Sequence, residues 1–265
     1  MPKIKIMEEF GFCNLTCIPV RAEASERSEM VNQLIFGEIF EIVDAIKGWK
    51  LIRGALDKYE GFIDEKQFLE ISAGEFQKLK ELPDTFPVQP VSYATDASGN
   101  QIMLMPASSM RGFRDGRLSL EKGSITFKER FFTPPENPDR DAIVSAAKTY
   151  LQSPYLWGGR TLAGIDCSGL VQNVFKMNGM ALHRDASYQA GQGETLNMIS
   201  EAQPGDLAFF DNQEGEIVHV GIIAHDGKII HASGHVRIDD IDHHGIYNRQ
   251  QKKYTHNLRL IKSIV

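Results

Sequence analysis

Apolar positions between about residues 10 and 72 come in short runs broken by turn residues: Leu34-Ile35-Phe36-Gly37, Ile39-Phe40-Glu41-Ile42-Val43, Gly48-Trp49-Lys50-Leu51-Ile52 and Tyr59-Glu60-Gly61-Phe62-Ile63. Runs this short, bounded by glycine, predict the strands of a small barrel. Pro83, Pro87 and Pro90 then punctuate the chain. A second all-β stretch follows, through Gln101-Ile102-Met103-Leu104-Met105-Pro106 to Ser124-Ile125-Thr126-Phe127, and predicts a further small domain over about 85–133. After the linker-like Pro134-Pro135-Glu136-Asn137-Pro138 the period changes. Ile143, Ala146, Ala147, Tyr150 and Leu151 fall on one face of a helix that starts near Pro138 or Asp139. A Gly-rich loop leads to a second helix marked by Leu170, Val171, Val174 and Phe175 and stopped by Asn178-Gly179. Strands follow at Asp206–Phe210, Val218–Ile223 and Lys228–His231. Helices first and an antiparallel sheet afterwards make residues 138–265 an α+β domain.

Composition narrows this picture without redirecting it. The 265 residues are 42% apolar, which suits one large domain or two to three small ones and excludes a disordered chain. The formal charge of -6 removes the basic excess that a nucleic-acid partner requires. The amino terminus, Met1-Pro2-Lys3-Ile4-Lys5-Ile6-Met7-Glu8-Glu9, has no apolar signal core, and no stretch is long and apolar enough for a bilayer span. A cytoplasmic protein with no membrane partner is expected, although a trimmed export signal leaves the same appearance. Three cysteines, an odd number, argue against a disulfide framework. Cys13 and Cys17 read as two reduced thiols in or beside a strand rather than a metal or redox pair, since no second ligand pair follows.

Candidate chemistry concentrates in Pro154-Tyr155-Leu156-Trp157-Gly158-Gly159-Arg160 and Gly164-Ile165-Asp166-Cys167-Ser168-Gly169-Leu170-Val171. Asp166 is a natural N-cap, which puts Cys167 in the first helical turn, among free N–H groups at the positive end of the macrodipole. That location is expected to favour thiolate. Taken alone, a cysteine in this position can equally be a packing residue. The surrounding residues change that reading. Trp157-Gly158-Gly159 before Asp166-Cys167-Ser168-Gly169, with Val218-His219-Val220-Gly221-Ile222 and His231-Ala232-Ser233 downstream, closely resembles the NlpC/P60 family of cell-wall peptidases.

The resemblance implies a papain-like catalytic domain over 138–265, with Cys167 as nucleophile, His219 as general base and then acid, and His231 orienting the imidazole. Tyr155, beside the catalytic cysteine in similar proteins, is either an oxyanion donor or a core aromatic. Strand geometry supplies a test that needs no relative. A two-residue turn at Asp226-Gly227 would put His231 on the opposite sheet face from His219. A three-residue loop, His225-Asp226-Gly227, pairs 221 with 231 and brings both imidazoles to one face. The assignment therefore predicts an odd loop or a bulge. The other histidines, 183, 225, 235, 243, 244 and 256, read as solvated or structural.

Gly37-Glu38 with the alternating strand after it, and Tyr59-Glu60-Gly61-Phe62-Ile63, resemble a bacterial SH3-type domain over 1–80. The stretch 85–133 reads as a second, less typical SH3-like barrel. Two such barrels ahead of an NlpC/P60 domain is the arrangement of the bacterial dipeptidyl-peptidase VI type. Arg27-Ser28-Glu29-Met30 and Arg184-Asp185-Ala186-Ser187 are similar as well. The resemblance implies hydrolysis of the γ-D-Glu-diamino acid bond in free-amino-terminal L-Ala-γ-D-Glu-diamino acid peptides, in cell-wall recycling, by a monomer without cofactor or metal. An enclosed ammonium needs a carboxylate and other acceptors. Asp166, Glu29 and Tyr59 are the candidates for that role, with Ser168 beside them. Asp185, Ser187 and Arg184 are candidates for the peptide backbone or the D-Glu carboxylate, the last through Ser187 or Arg184. Two other readings stand beside this one. The same residues would cleave intact murein with the SH3-like domains as wall-targeting modules, or Cys167, His219 and His231 would hold a metal in a non-catalytic module.

Overall fold

A computed structural model describes residues 9–265. The first eight residues, Met1 to Glu8, on which most of the export-signal reading rests, lie outside the described residues. The chain divides into two compact units, residues 1–133 and 134–265.

The first unit is all-β apart from one helix. Strands β1 (Glu9–Phe12), β2 (Cys17–Arg21), β3 (Met30–Ile35), β4 (Ile39–Ile46), β5 (Trp49–Gly54), β6 (Glu60–Asp64) and β7 (Leu69–Ile71) form one antiparallel sheet in the order β3-β2-β6-β5-β4-β1-β7. Every apolar run singled out in the sequence is part of it. Cys13, Ile18, Val20, Leu34, Phe40, Ile52 and Ile63 fill its interior. Cys13 is therefore a buried packing residue, and the thiols of Cys13 and Cys17 are both free.

Helix α1 (Ala73–Glu81) follows, entered through a capping box of Ser72 and Glu75. Beyond it lie β8 (Phe86–Pro87), β9 (Ser92–Asp96), β10 (Gln101–Leu104), β11 (Arg117–Leu120), β12 (Gly123–Thr126) and β13 (Phe131–Phe132). They make a four-stranded sheet, β10-β9-β12-β11, and a two-stranded pair. One apolar cluster joins Phe10, Phe12 and Phe36 of the first sheet, Phe76 and Leu79 of α1, and Leu104, Leu118 and Phe127 of the second. That shared core explains why residues 85–133 carry a weak barrel signature of their own: much of their apolar surface is buried against the preceding sheet.

The second unit opens with α2 (Arg140–Lys148), capped by Asp139, and the short strands β14 (Arg160–Thr161) and β15 (Gly164–Ile165). Next come α3 (Cys167–Met177), α4 (Ala186–Gln189) and β16 (Glu194–Leu196). Strands β17 (Leu207–Asp211), β18 (Ile217–Ala224), β19 (Lys228–Ser233), β20 (His235–Asp242), β21 (Gly245–Asn248) and β22 (Lys253–Ser263) run in sequence. Pairing of β22 with both β17 and β21 closes them into a barrel. Ala208, Phe210, Ile223, Ile229, Ile241, Ile246 and Ile261 plug its interior. Along each strand the alternate residues point outward. Those of β18 and β19 are Val220, Ile222, Ile230 and Ala232, which are fully buried on the side where α3 packs. Every residue of α3 is buried, so this helix is central rather than amphipathic.

The β18–β19 hairpin pairs Gly221 with His231 and Ala224 with Lys228, leaving His225, Asp226 and Gly227 as a three-residue loop. The odd loop predicted from the sequence is present. Among the described residues no helix is long and apolar enough to cross a membrane.

Candidate active site

Asp166 caps α3 as its sequence predicts, accepting from the Gly169 N–H at 2.7 Å, and Cys167 is the first helical residue. The preceding loop fits tightly over this helix start. A Cβ on Gly169 would lie 2.5 Å from the Gly159 carbonyl oxygen, and one on Gly159 would lie 2.5 Å from that of Gly164. Only glycine allows backbone to approach so closely.

The Asp166 carboxylate also accepts from the Gly158 N–H at 2.8 Å and from both terminal nitrogens of Arg184, at 3.0 and 2.6 Å. Arg184 is 2% exposed and also donates to Ser168 Oγ at 2.8 Å. Asp166, Ser168 and Arg184 thus form one buried network beneath the nucleophile. A substrate ammonium meeting Asp166 would join a carboxylate already paired with a guanidinium, and a substrate carboxylate meeting Arg184 would join a guanidinium already paired with Asp166. Asp185 precedes α4 as its N-cap residue, half-buried, and Ser187 is exposed on α4.

The thiol departs from expectation. Burial, and after it the negative charge of Asp166, push Cys167 up to about 12, against smaller opposing effects of the Val220 N–H, Arg184 and the Ser168 N–H. The helix terminus does stabilise the anion, but a sulfur only 6% exposed loses more from desolvation than one turn of dipole returns. Cys167 therefore rests as a thiol. The Val220 N–H that reaches its sulfur belongs to the residue after His219, so β18 passes the start of α3 at this point.

His219 and His231 share the barrel's inner face, as the three-residue loop requires, with His219 Nε2 2.9 Å from His231 Nδ1. His231 Nε2 lies 3.0 Å from Asp239 Oδ2 on β20. Register explains the third member: Ile229 pairs with Asp239 and His231 with Arg237, so Asp239 sits diagonally from His231 on the same face. Burial alone would raise Asp239, but hydrogen bonds from His231 and Arg237 outweigh it and bring the carboxyl down to about 2.

Proton positions follow from these contacts. An ionised carboxylate only accepts, so the proton on His231 is on Nε2, and neutral His231 presents a bare Nδ1. His219 Nε2 must then be the donor to it, which leaves the His219 Nδ1 lone pair free to take a proton. Burial, then the neighbouring His231 and His256, hold His219 well below the ordinary imidazole range, so it is neutral. Burial likewise lowers His231, with Asp239 opposing.

Asp239 was not foreseen from the sequence, and His256 was read there as solvated or structural. His256, on β22, stacks on the His219 ring with centroids 4.3 Å apart and 24° between planes. The nitrogens of His219, His231 and His256 lie within 4.8 Å of one another, and neutral imidazoles are zinc ligands. The arrangement is nonetheless a proton chain rather than a coordination cage. The lone pairs of the stacked His219 and His256 rings lie in planes only 24° apart, which disfavours convergence on one ion, and the His219–His231 contact has hydrogen-bond length. Cys167 is not part of that group.

Tyr155 is 36% exposed, and its N–H donates to the Gly234 carbonyl at 2.9 Å, which pins the loop to the β19–β20 turn. Burial first, and then the Cys167 sulfur when ionised and the Asp166 carboxylate, raise its phenol to about 12, so it stays protonated. Glu29 and Tyr59 belong to the first unit: Glu29 is exposed in the loop before β3, and Tyr59 is half-buried between β5 and β6.

Comparisons with known proteins agree with this geometry. Residues 152–257 match the NlpC/P60 family, and residues 20–68 match the bacterial dipeptidyl-peptidase SH3 domain. A γ-D-glutamyl-L-lysine dipeptidyl-peptidase of Bacillus subtilis is 36% identical over 120 residues, covering 42% of this chain and 40% of that protein. Dipeptidyl-peptidase 6 of Lysinibacillus sphaericus is 24% identical over 255 residues, covering 86% of this chain and 90% of that protein. The crystal structure of an NlpC/P60 family protein from Bacillus cereus shares the fold, with a TM-score of 0.81 at 18% identity, covering 96% of this chain and 99% of that one. Residues 152–257 are thus an NlpC/P60 domain and residues 20–68 a bacterial dipeptidyl-peptidase SH3 domain, both carried by one chain.

Proposed function

We propose that the chain is a cysteine peptidase that hydrolyses the γ-D-Glu-diamino acid bond of peptidoglycan peptides beginning with a free L-Ala, and releases L-Ala-γ-D-Glu. The observation that carries the chemistry is the chain from His219 through His231 to Asp239, which fixes a bare imidazole nitrogen on the residue next to the one that touches the Cys167 sulfur. The substrate reading is supported by the paired SH3 and NlpC/P60 domains and by the names of the two Bacillales relatives.

In this mechanism His219 takes the thiol proton as the sulfur attacks the γ-carbonyl, giving a tetrahedral oxyanion and an imidazolium. The hydrogen bond to His231, and through it the charge of Asp239, stabilises that imidazolium. Tyr155 and the backbone N–H groups at the α3 start are donors for the oxyanion. His219 then protonates the leaving amine, and water activated by the same imidazole hydrolyses the thioester. Asp166, Ser168, Asp185, Ser187 and Arg184 are assigned to the binding of the peptide, as its ammonium, backbone or carboxylate requires. The protein works as a monomer on soluble muropeptides.

Purified protein incubated with L-Ala-γ-D-Glu-meso-diaminopimelate, its N-acetylated form and a Cys167→Ala control tests the proposal by mass spectrometry. Release of L-Ala-γ-D-Glu from the free-amine peptide alone, and only with Cys167 present, is expected. Equal cleavage of both forms removes the ammonium requirement. Cleavage of neither, with fragments released from whole sacculi, transfers the activity to intact murein.

A further inference from the structure

Among the described residues His256 is the one aromatic group packed face-on against the candidate base, and its position has a structural cause. Strand β22 is irregular on both sides of it. Against β21 the register shifts between Ile246, opposite His256, and Tyr247, opposite Tyr254, so Thr255 is the extra residue. Against β17 it shifts between Phe209, opposite Leu260, and Phe210, opposite Leu258, so Arg259 is extra. Bulges of this kind re-aim a side chain. Here they turn His256 into the barrel mouth, where His219 stacks on one face of the ring.

The rest of the ring is also held. Phe210 and His231 meet it edge-on, at 5.8 and 5.5 Å between centroids. Thr255 Oγ1 lies 2.9 Å from its Nδ1. Backbone packing leaves β22 no freedom here: a Cβ on Gly245, where φ is 136°, would come within 1.9 Å of the His256 carbonyl oxygen. Among the described residues the His219 ring has a hydrogen bond along one edge, to His231, and a single bond leaves a ring free to rotate about its own axis. The stacked neighbour removes that rotation.

We propose that His256 is a positioning residue, whose ring plane holds the His219 imidazole in the orientation that points its free nitrogen at the Cys167 thiol. This rests on the cysteine-peptidase reading for its consequence in turnover, but its effect on the thiol is readable without any peptide. The test measures alkylation of Cys167 by iodoacetamide at pH 7, together with kcat and KM on the free-amine tripeptide, in His256→Leu, His256→Phe and Thr255→Val. Loss of the stacking ring in His256→Leu is expected to slow alkylation and kcat about tenfold or more, with KM changed less than about twofold, since misorientation acts on the reacting pair. The flat ring of His256→Phe is expected to restore both to within about threefold of the parent.

Wild-type alkylation in His256→Leu would overturn the proposal, as would His256→Phe proving as slow as His256→Leu. Should His256→Leu fail to fold, Thr255→Val decides: slowing of about threefold is expected, and an unchanged rate overturns the proposal. Normal alkylation effects with no peptide cleaved by any form would fault the substrate assignment and leave the positioning role standing.

Discussion

A thiol raised to about 12 beside an imidazole held well below its ordinary range does not rest as an ion pair at neutral pH. On the proposed mechanism, Cys167 becomes nucleophilic when His219 removes its proton during attack, not before. The logarithm of the iodoacetamide alkylation rate should keep rising with pH beyond 9, where an exposed thiol has already levelled off; a plateau near pH 7 would show a preformed thiolate instead. At this scale the sequence was legible where chemistry sits in contiguous residues. The cap at Asp166, the place of Cys167 in the first helical turn and the two histidines separated by a countable hairpin were all open to reading. Asp239 and His256 were not, for a geometric reason. Their place depends on the second strand of a further hairpin and on two bulges, and an alternation such as Val236-Arg237-Ile238-Asp239 does not announce that its polar side faces inward. The thiol's protonation was misjudged because helix-end stabilisation is visible in a sequence and burial of a sulfur is not.

The β18–β19 hairpin is the element on which the site turns. Its three-residue loop sets the parity that puts both histidines inside the barrel, and Gly221 makes room for the second of them. A Cβ at 221 would lie 2.7 Å from Ile229 Cδ1 and 3.0 Å from His231 Cβ. Gly221→Ala is therefore expected to shift His231 and to lower kcat about tenfold or more, with far-UV circular dichroism unchanged, since the backbone there is ordinary strand. Full activity in that variant would mean that His231 tolerates displacement and does not orient the base. Hydrophobic periodicity located α2, α3 and the first three barrel strands because each has an apolar run. It missed β20 to β22, which mix polar and apolar residues on their inward faces, and it read residues 85–133 only faintly because their core is completed by Phe10, Phe12 and Phe36.

Across the whole molecule, three neutral histidines, two buried and one half-buried, make stability a function of pH. His219, His231 and His256 all have folded-state values below the ordinary 6.5, with His256 at about 4. The unfolded chain then binds more protons below 6.5, so this stability is fully present above that pH and is lost as pH falls toward the folded values. Each such proton is worth up to about 1.4 kcal/mol per pH unit. Tm measured from pH 7 down to 4.5 should fall steeply, and less steeply in His256→Phe; equal slopes in the two proteins would place the proton uptake elsewhere. Below that range Asp239, lowered to about 2, contributes stability that persists above its unfolded value and disappears only as pH drops through 2. Closure of the barrel by β22 has one more consequence, which concerns time rather than energy. That strand supplies His256 and pairs with both β17 and β21, yet it is the last of the six to be synthesised. Before β22 pairs, β17 to β21 are an open sheet with two unpaired edges that already carries His219, His231 and Asp239, and His256 reaches its place only as the barrel closes.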